Sequence, residues 1–293
     1  MTKTETVVRN GLAAIARALP DRVRGRARAG QHLQDALTNY ADDDESLVWV
    51  TLRDGSRLRI DLRSPTERTA FWTGSYDSET ISAITGFLRP GDNVIDVGAN
   101  IGFYTVPMGR RLREIGGALY AIEPFAPNLE RLRENLAAND LLDTVSVIAS
   151  AVGDRGGSVT LVPEPGEART ANTVAHEAAP DAAGAVSLTT LDSIVEREGI
   201  RACRFMKIDV EGWELAALRG ATGLLTTHRP VVEGELNAFW MQDRGWSYDD
   251  LAALAASCDY DSHRAGGEIG TFLLIPTESS ADEVAELLRA LAS

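Results

Sequence analysis

Residues Val94–Thr105 read VIDVGANIGFYT, and this stretch decides the fold. Asn93–Val97 predicts a short buried strand, Gly98 and Gly102 a tight turn, and Gly102–Arg113 a helix. Glycines at a strand-to-helix turn let the backbone approach a ligand closely. A phosphate-cradling P-loop is excluded, because no Gly-Lys pair followed by Ser or Thr is present. A dinucleotide fingerprint would put glycines at 100 and 103, where Asn100 and Phe103 stand. The turn reads D-x-G-x-N-x-G with Asp96 ahead of the glycines. It has little provision for a pyrophosphate, and its acid suits an ammonium group.

Working outward, strands are predicted at Ala118–Glu123, Val145–Ser150, Arg204–Asp209 and Pro230–Leu236, alternating with helices at Pro127–Asn139, Leu191–Glu198 and Trp213–Leu225. Such alternation builds a parallel sheet from βαβ units. A further strand at Gly157–Val162 and a stretch rich in Pro, Gly, Ala and Glu, Pro163–Gly184, interrupt the repeat; the stretch reads as a lid or a surface loop. After a helix capped by Ser247, strands at Asp259–His263 and Ile269–Ile275 are joined by the short Ala265-Gly266-Gly267-Glu268 connection. A connection that short forces an antiparallel hairpin. Glu123 ends the second sheet strand, 21 residues beyond Gly102, where an acid can accept the ribose hydroxyls of an adenosine cofactor.

Ahead of the sheet, Leu47–Arg53 and Arg57–Arg63 alternate around Asp54-Gly55 as a hairpin, followed by a helix from Ser78 to Leu88. The chain is therefore divided into a basic, helical segment 1–45, an accessory and lid region 46–89, and a catalytic domain 90–293. Residues 1–30 carry seven basic against two acidic side chains, within a 293-residue chain of net charge -14. That acidity argues against nucleic acid as a partner. No stretch is apolar for the roughly 18 residues a membrane span needs. Two distant cysteines, Cys203 and Cys258, suit a reduced cytoplasmic protein. Of 29 basic residues only Lys3 and Lys207 are lysine, which singles out Lys207 inside the fold.

Val94–Thr105, Ala121–Pro124 (AIEP), Ala151–Asp154 (AVGD), Thr190–Ile194 (TLDSI) and Met206–Gly220 (MKIDVEGWELAALRG) together resemble the successive motifs of the FkbM family of S-adenosylmethionine (SAM)-dependent methyltransferases. The resemblance covers about residues 70–240 in the right order. It implies an α/β fold: the seven-stranded, Rossmann-like class I methyltransferase sheet closed by a C-terminal antiparallel β-hairpin. It also implies SAM as cofactor, with Asp96, Gly98, Asn100, Gly102, Glu123 and Pro124 as contacts. Ser150 and Ala151 would flank the adenine, and Tyr76 and Glu79 would close over the cofactor.

At the fourth strand, Lys207, Asp209 and Glu211 share one side if the strand persists, at the end where open α/β sheets place their sites. Asp209 or Glu211 is read as base or substrate orienter, Asp209 also as a cofactor neighbour, and Lys207 as the anchor of their charges. Glu235, on the fifth strand, and His263, on the hairpin, are further base candidates. Asp209, Glu235 and Asn237 offer oxygen ligands for Mg²⁺, but a shelf for substrate hydroxyls is preferred and no metal is assigned. Phe239, Trp240 and Trp246 read as either an acceptor wall or core. The leading reading is O-methylation of a small-molecule hydroxyl on a sugar, glycoside or polyketide-like product. An N-methyltransferase and a non-catalytic SAM-binding module are the alternatives, and a homo-oligomer is left open.

Overall fold

The computed structural model of the chain describes residues 9–13, 46–163, 173–177, 179 and 182–291. Most of segment 1–45 and much of 163–184 therefore lie outside the described residues. Strands β1 (Leu47–Thr51) and β2 (Arg57–Asp61) form the predicted hairpin. Helix α1 (Pro65–Thr73) follows, with Ser64 accepting from the Glu67 amide at 3.4 Å and proline in its first turn. Sequence periodicity did not find α1, although Ser64-Pro65 with Glu67 is a helix-start signature. Helix α2 (Ser78–Phe87) then leads into the sheet.

The central elements are β3 (Asn93–Val97), α3 (Thr105–Ile115), β4 (Ala118–Ile122), α4 (Ala126–Ala138) and β5 (Val145–Ile148). They are followed by the small strands β6 (Ala151–Val152), β7 (Gly157–Pro163), β8 (Thr173–Glu177) and β9 (Ala185–Thr189), then by α5 (Leu191–Glu198) and β10 (Phe205–Ile208). Helices α6 (Glu214–Arg219) and α7 (Thr222–His228), β11 (Val231–Asn237), α8 (Ala238–Asp243), α9 (Tyr248–Ser257), β12 (Tyr260–Gly266), β13 (Ile269–Pro276) and α10 (Ala281–Leu291) complete the chain.

Seven strands order as β12-β13-β11-β10-β3-β4-β5, parallel except for β13, which runs against both neighbours. The chain winds outward from β3 to β5, then crosses back to β10, so the crevice opens between the carboxyl ends of β3 and β10. Alternation along each strand divides the core. Val94, Phe205 and Val231 pack with β1–β2, α1–α4 and α10, whereas Ile95, Met206 and Val232 pack with α5, α6, α7 and α9. Asp96, Lys207, Glu233 and Glu235 continue the first series. They therefore emerge on the same face as the accessory hairpin and its two helices.

That accessory region is fastened to the sheet domain through α4. Asn135 accepts from the Arg59 amide at 2.6 Å and donates to the Ile101 carbonyl at 2.8 Å, so one buried amide joins the edge of β2 to the glycine turn. Asn139 accepts from the Arg57 amide at 3.0 Å.

Two sequence expectations are corrected. The Pro163–Gly184 stretch contains β8, paired antiparallel with β7, in a second sheet of order β6-β9-β7-β8. The single helix expected over Trp213–Leu225 divides around Gly220, which lies so close to the Gly153 carbonyl oxygen that a side chain would strike it.

Candidate active site

A cavity of about 260 Å³ opens at the carboxyl ends of the strands. Its first half is built from backbone. Gly98 has φ +82°, and a Cβ there would run into the Asp209 carbonyl oxygen, so only glycine lets the β3 turn meet the β10 turn. The Gly98 and Ala99 amides both donate to the Ile122 carbonyl, at 2.9 and 3.0 Å, which pins the turn to β4. Glu123 accepts from the Asn100 amide at 2.9 Å and from the Phe125 amide at 2.8 Å. Burial pushes Glu123 up to about 7, and those amides, with Asn128, pull against it. Asp96 accepts from the Thr105 hydroxyl at 2.5 Å; burial pushes it up to about 6 despite that bond and Lys207. Asn100 lines the cavity with its Oδ1 buried and unpartnered among the described residues, an acceptor open to a ligand hydroxyl or ammonium. Ser150 and Ala151 also line this half, and Val159, Leu161 and Leu188 of the small sheet give it an apolar wall.

The second half is built from charge. Lys207, 3% exposed, stands in register with Asp96 on one side and Glu233 on the other. Its Nζ lies 3.5 Å from Asp209 and 3.3 Å from Glu233. Burial pulls its pKa down, but Glu233 and Asp209, then Tyr76 and Asp96, outweigh burial and hold it above the ordinary lysine value. The Nζ also sits 4.9 Å from the Tyr104 ring centroid, whose hydroxyl donates to Asp77. Tyr76 of the accessory region stacks on Phe103 at 4.2 Å between centroids and meets Tyr104 edge to face at 5.9 Å, so it packs on the turn that sets the Tyr104 ring beside the lysine.

Strand β10 ends at Ile208 and does not persist to Glu211. Instead Glu211 turns into the left-handed region at φ +52°, followed by Gly212 at φ +90°. Buried Glu214 holds this turn, accepting from the Val210 amide at 3.0 Å and the Gly212 amide at 3.3 Å. The result brings Asp209, Glu211 and Glu235 to the cavity with one carboxylate oxygen each inside 4.8 Å, a spacing that one cation could also share. Burial first, then the Asp209 carboxylate, push Glu235 up to about 8, with Lys207 opposing.

Among the predicted residues, Tyr76, Asp96, Gly98, Asn100, Glu123, Pro124, Ser150, Ala151, Lys207, Asp209, Glu211 and Glu235 line this one cavity. Three do not. Glu79 is exposed in the first turn of α2. Gly102 sits under the turn, where a Cβ would press on Leu132 at 2.9 Å, so it serves helix packing. His263 is exposed on β12, with β13 between it and Glu235. Two further histidines lie elsewhere: His228 closes α7 and His176 falls on β8. Sequence reasoning missed Tyr104, Glu214 and Glu233. It also missed a buried pair, Arg131 with Glu67 at 2.7 Å, which backs Asn128 at the cavity wall. Glu67 had a local signal as the third residue of α1, but its partner is 64 positions away.

A methyltransferase FkbM domain model matches residues 96–262, more than half of the chain. The chain belongs to that family. Its strand order is that of the class I methyltransferase sheet. The chain is 28% identical over 144 residues to the hexuronic acid methyltransferase AglP of Haloferax volcanii, a match covering 48% of this chain and 55% of that protein. The match thus spans about half the length of that curated relative. Among solved structures, an FkbM methyltransferase from Methylobacillus flagellatus KT is similar at 19% identity and a TM-score of 0.44, over 74% of this chain and 55% of that one. A SAM-dependent methyltransferase from Aquifex aeolicus gives 13% and 0.40, over 67% and 89%. Among the described residues, no helix is long and apolar enough to cross a membrane.

Proposed function

We propose that this FkbM-family protein is a cytoplasmic SAM-dependent O-methyltransferase acting on a hydroxyl of a small molecule, with a sugar or glycoside first among the acceptors. The meeting of Asp209, Glu211 and Glu235 beside Lys207, next to the glycine turn, carries this reading. Asp96, Asn100 and Glu123 would hold the cofactor's polar groups, with Ser150 and Ala151 beside its base. Bound there, SAM supplies an electrophilic methyl on a sulfonium. The protein's tasks are then alignment and proton removal. Glu235, raised to about 8 by burial and then by the neighbouring Asp209 carboxylate, holds a proton near neutrality, and its ionised form takes the acceptor's hydroxyl proton. Lys207, 3.5 Å away, keeps the Asp209 carboxylate aimed into the cavity. Because Lys207 already supplies positive charge to this cluster, no metal enters the mechanism, and EDTA should leave the rate unchanged.

The relative's action on a hexuronic acid supports the sugar reading. A mass-spectrometric screen of glycosides and polyhydroxylated natural products with SAM should find an acceptor gaining one methyl group. Asp209→Asn and Lys207→Met should each lower that turnover by about 10²- to 10⁴-fold, with SAM affinity kept within about threefold. Unchanged turnover in both variants would remove these residues from the mechanism; methyl gain only on amines would replace O-transfer by N-transfer.

A further inference from the structure

The three aromatic residues after β11 divide in the structure: Trp246 packs against the core, whereas Phe239 does not. Trp246 is half-buried and donates its indole N–H to the Gly212 carbonyl at 2.9 Å. Trp240, also half-buried, is seated on the same residue: a Cβ on Gly212 would lie 2.6 Å from the Trp240 Cβ. The Trp246 indole and the Cβ and backbone of Trp240 thus brace the turn that carries Glu211 into the cavity. Phe239 is different. It meets Trp240 edge to face at 4.8 Å, yet it is 68% exposed. Ile269, 67% exposed, pairs in register with Asn237, immediately before α8. Asn237 lies on the same face of β11 as Glu235 and heads α8 without a capping bond from its side chain. Two of the four exposed large apolar residues among those described therefore flank the end of the strand that supplies Glu235.

We infer that Asn237, Phe239, Trp240 and Ile269 form the acceptor ledge of this enzyme, and that the ledge takes a pyranose ring. The inference rests on the proposed function in setting the acceptor on the Glu235 side of the cavity. A pyranose has one face of C–H bonds and a rim of hydroxyls. The C–H face suits an exposed phenyl ring and an isoleucine, and the rim suits Asn237 and the three nearby carboxylates. A wholly apolar acceptor would take water from those half-buried carboxylates and return no hydrogen bond. Phe239 is a specificity-determining residue on this reading, and it takes no part in proton removal.

Calorimetric titration of the S-adenosylhomocysteine-loaded protein with methyl glycosides of glucose, galactose, mannose and glucuronic acid, with cyclohexanol as the apolar control, tests this without turnover. At least one glycoside should bind more tightly than cyclohexanol. Phe239→Ala should weaken that glycoside about five- to tenfold while Phe239→Tyr retains it. Neither change should move the S-adenosylhomocysteine affinity or the melting temperature, since Phe239 is exposed. Absence of binding by every glycoside, tighter binding of cyclohexanol, or an unchanged affinity in Phe239→Ala would each overturn the ledge. Glycoside binding with no methyl gain on any hydroxyl would leave the ledge standing and overturn the proposed chemistry alone.

Discussion

The two halves of the cavity are made by different physics. In the half formed by β3, β4 and β5, the acidic side chain of Glu123 is met by backbone amides of Asn100 and Phe125, and the turn itself is pinned by Gly98 and Ala99. Backbone donors fixed by a sheet do not depend on the protonation of other side chains. In the half formed by β10 and β11, the carboxylates of Asp209, Glu233 and Glu235 face one another around a single ammonium, that of Lys207. Their states depend on one another and on pH. The contrast teaches that cofactor binding should be sensitive to shape and acceptor chemistry to charge.

The largest expected effect tests the shape side. Gly98→Ala introduces a side chain against the Asp209 carbonyl in a left-handed conformation, so the two turns must separate. SAM affinity should fall by about 100-fold or more, equivalent to about 3 kcal/mol, and turnover with it. Retained affinity by calorimetry would break the contrast, since the junction would then be tolerant.

On the charge side, the rate should rise with pH through about 8, as Glu235 loses its proton. In Glu235→Gln that limb should vanish while the pH dependence of SAM binding stays as it was. A limb that survives the substitution assigns the titration elsewhere.

Stability gives a smaller signal that spans both halves. Asp96 and Glu123 have folded-state values raised above their unfolded ones, to about 6 and about 7, and buried Glu67 and Glu214 are likewise raised to about 7. Between the unfolded and folded values the native chain binds more protons than the unfolded chain, so stability falls as pH rises. The melting temperature of the ligand-free protein should therefore drop from pH 5 to pH 8. A cationic cofactor should offset part of the drop. A flat profile would mean that the backbone donors compensate burial fully.

The smallest effect concerns Glu211, held at φ +52°, where glycine is favoured. Glu211→Gly should leave stability unchanged or raise it by about 0.5–1 kcal/mol, while turnover falls. Full activity in this variant would make Glu211 a turn residue only.

How much was legible in the sequence follows the same division. Asp96, Gly98, Asn100 and Glu123 could be read because a strand-to-helix turn is local and its glycines and acids fall at fixed spacing. Lys207 could be read from its rarity. Tyr104 over Lys207, Glu214 under the β10 turn and Arg131 against Glu67 could not, since each pairing is set by how distant elements pack. His263 and Glu79 were placed at the site by their proximity to the right elements. Strand order puts β13 between His263 and Glu235, and Glu79 falls on the exposed side of α2.

By itself the sequence determined the alternating strands and helices, the closing hairpin and the glycine turn, because periodicity and turn chemistry act over a few residues. Only the tertiary structure decided that Asp209, Glu211 and Glu235 converge and that the Tyr104 ring lies beside Lys207. It alone also separated the half-buried tryptophans after β11 from the exposed Phe239. Those outcomes depend on register between strands far apart in the chain, and on which face each side chain then shares with the accessory region.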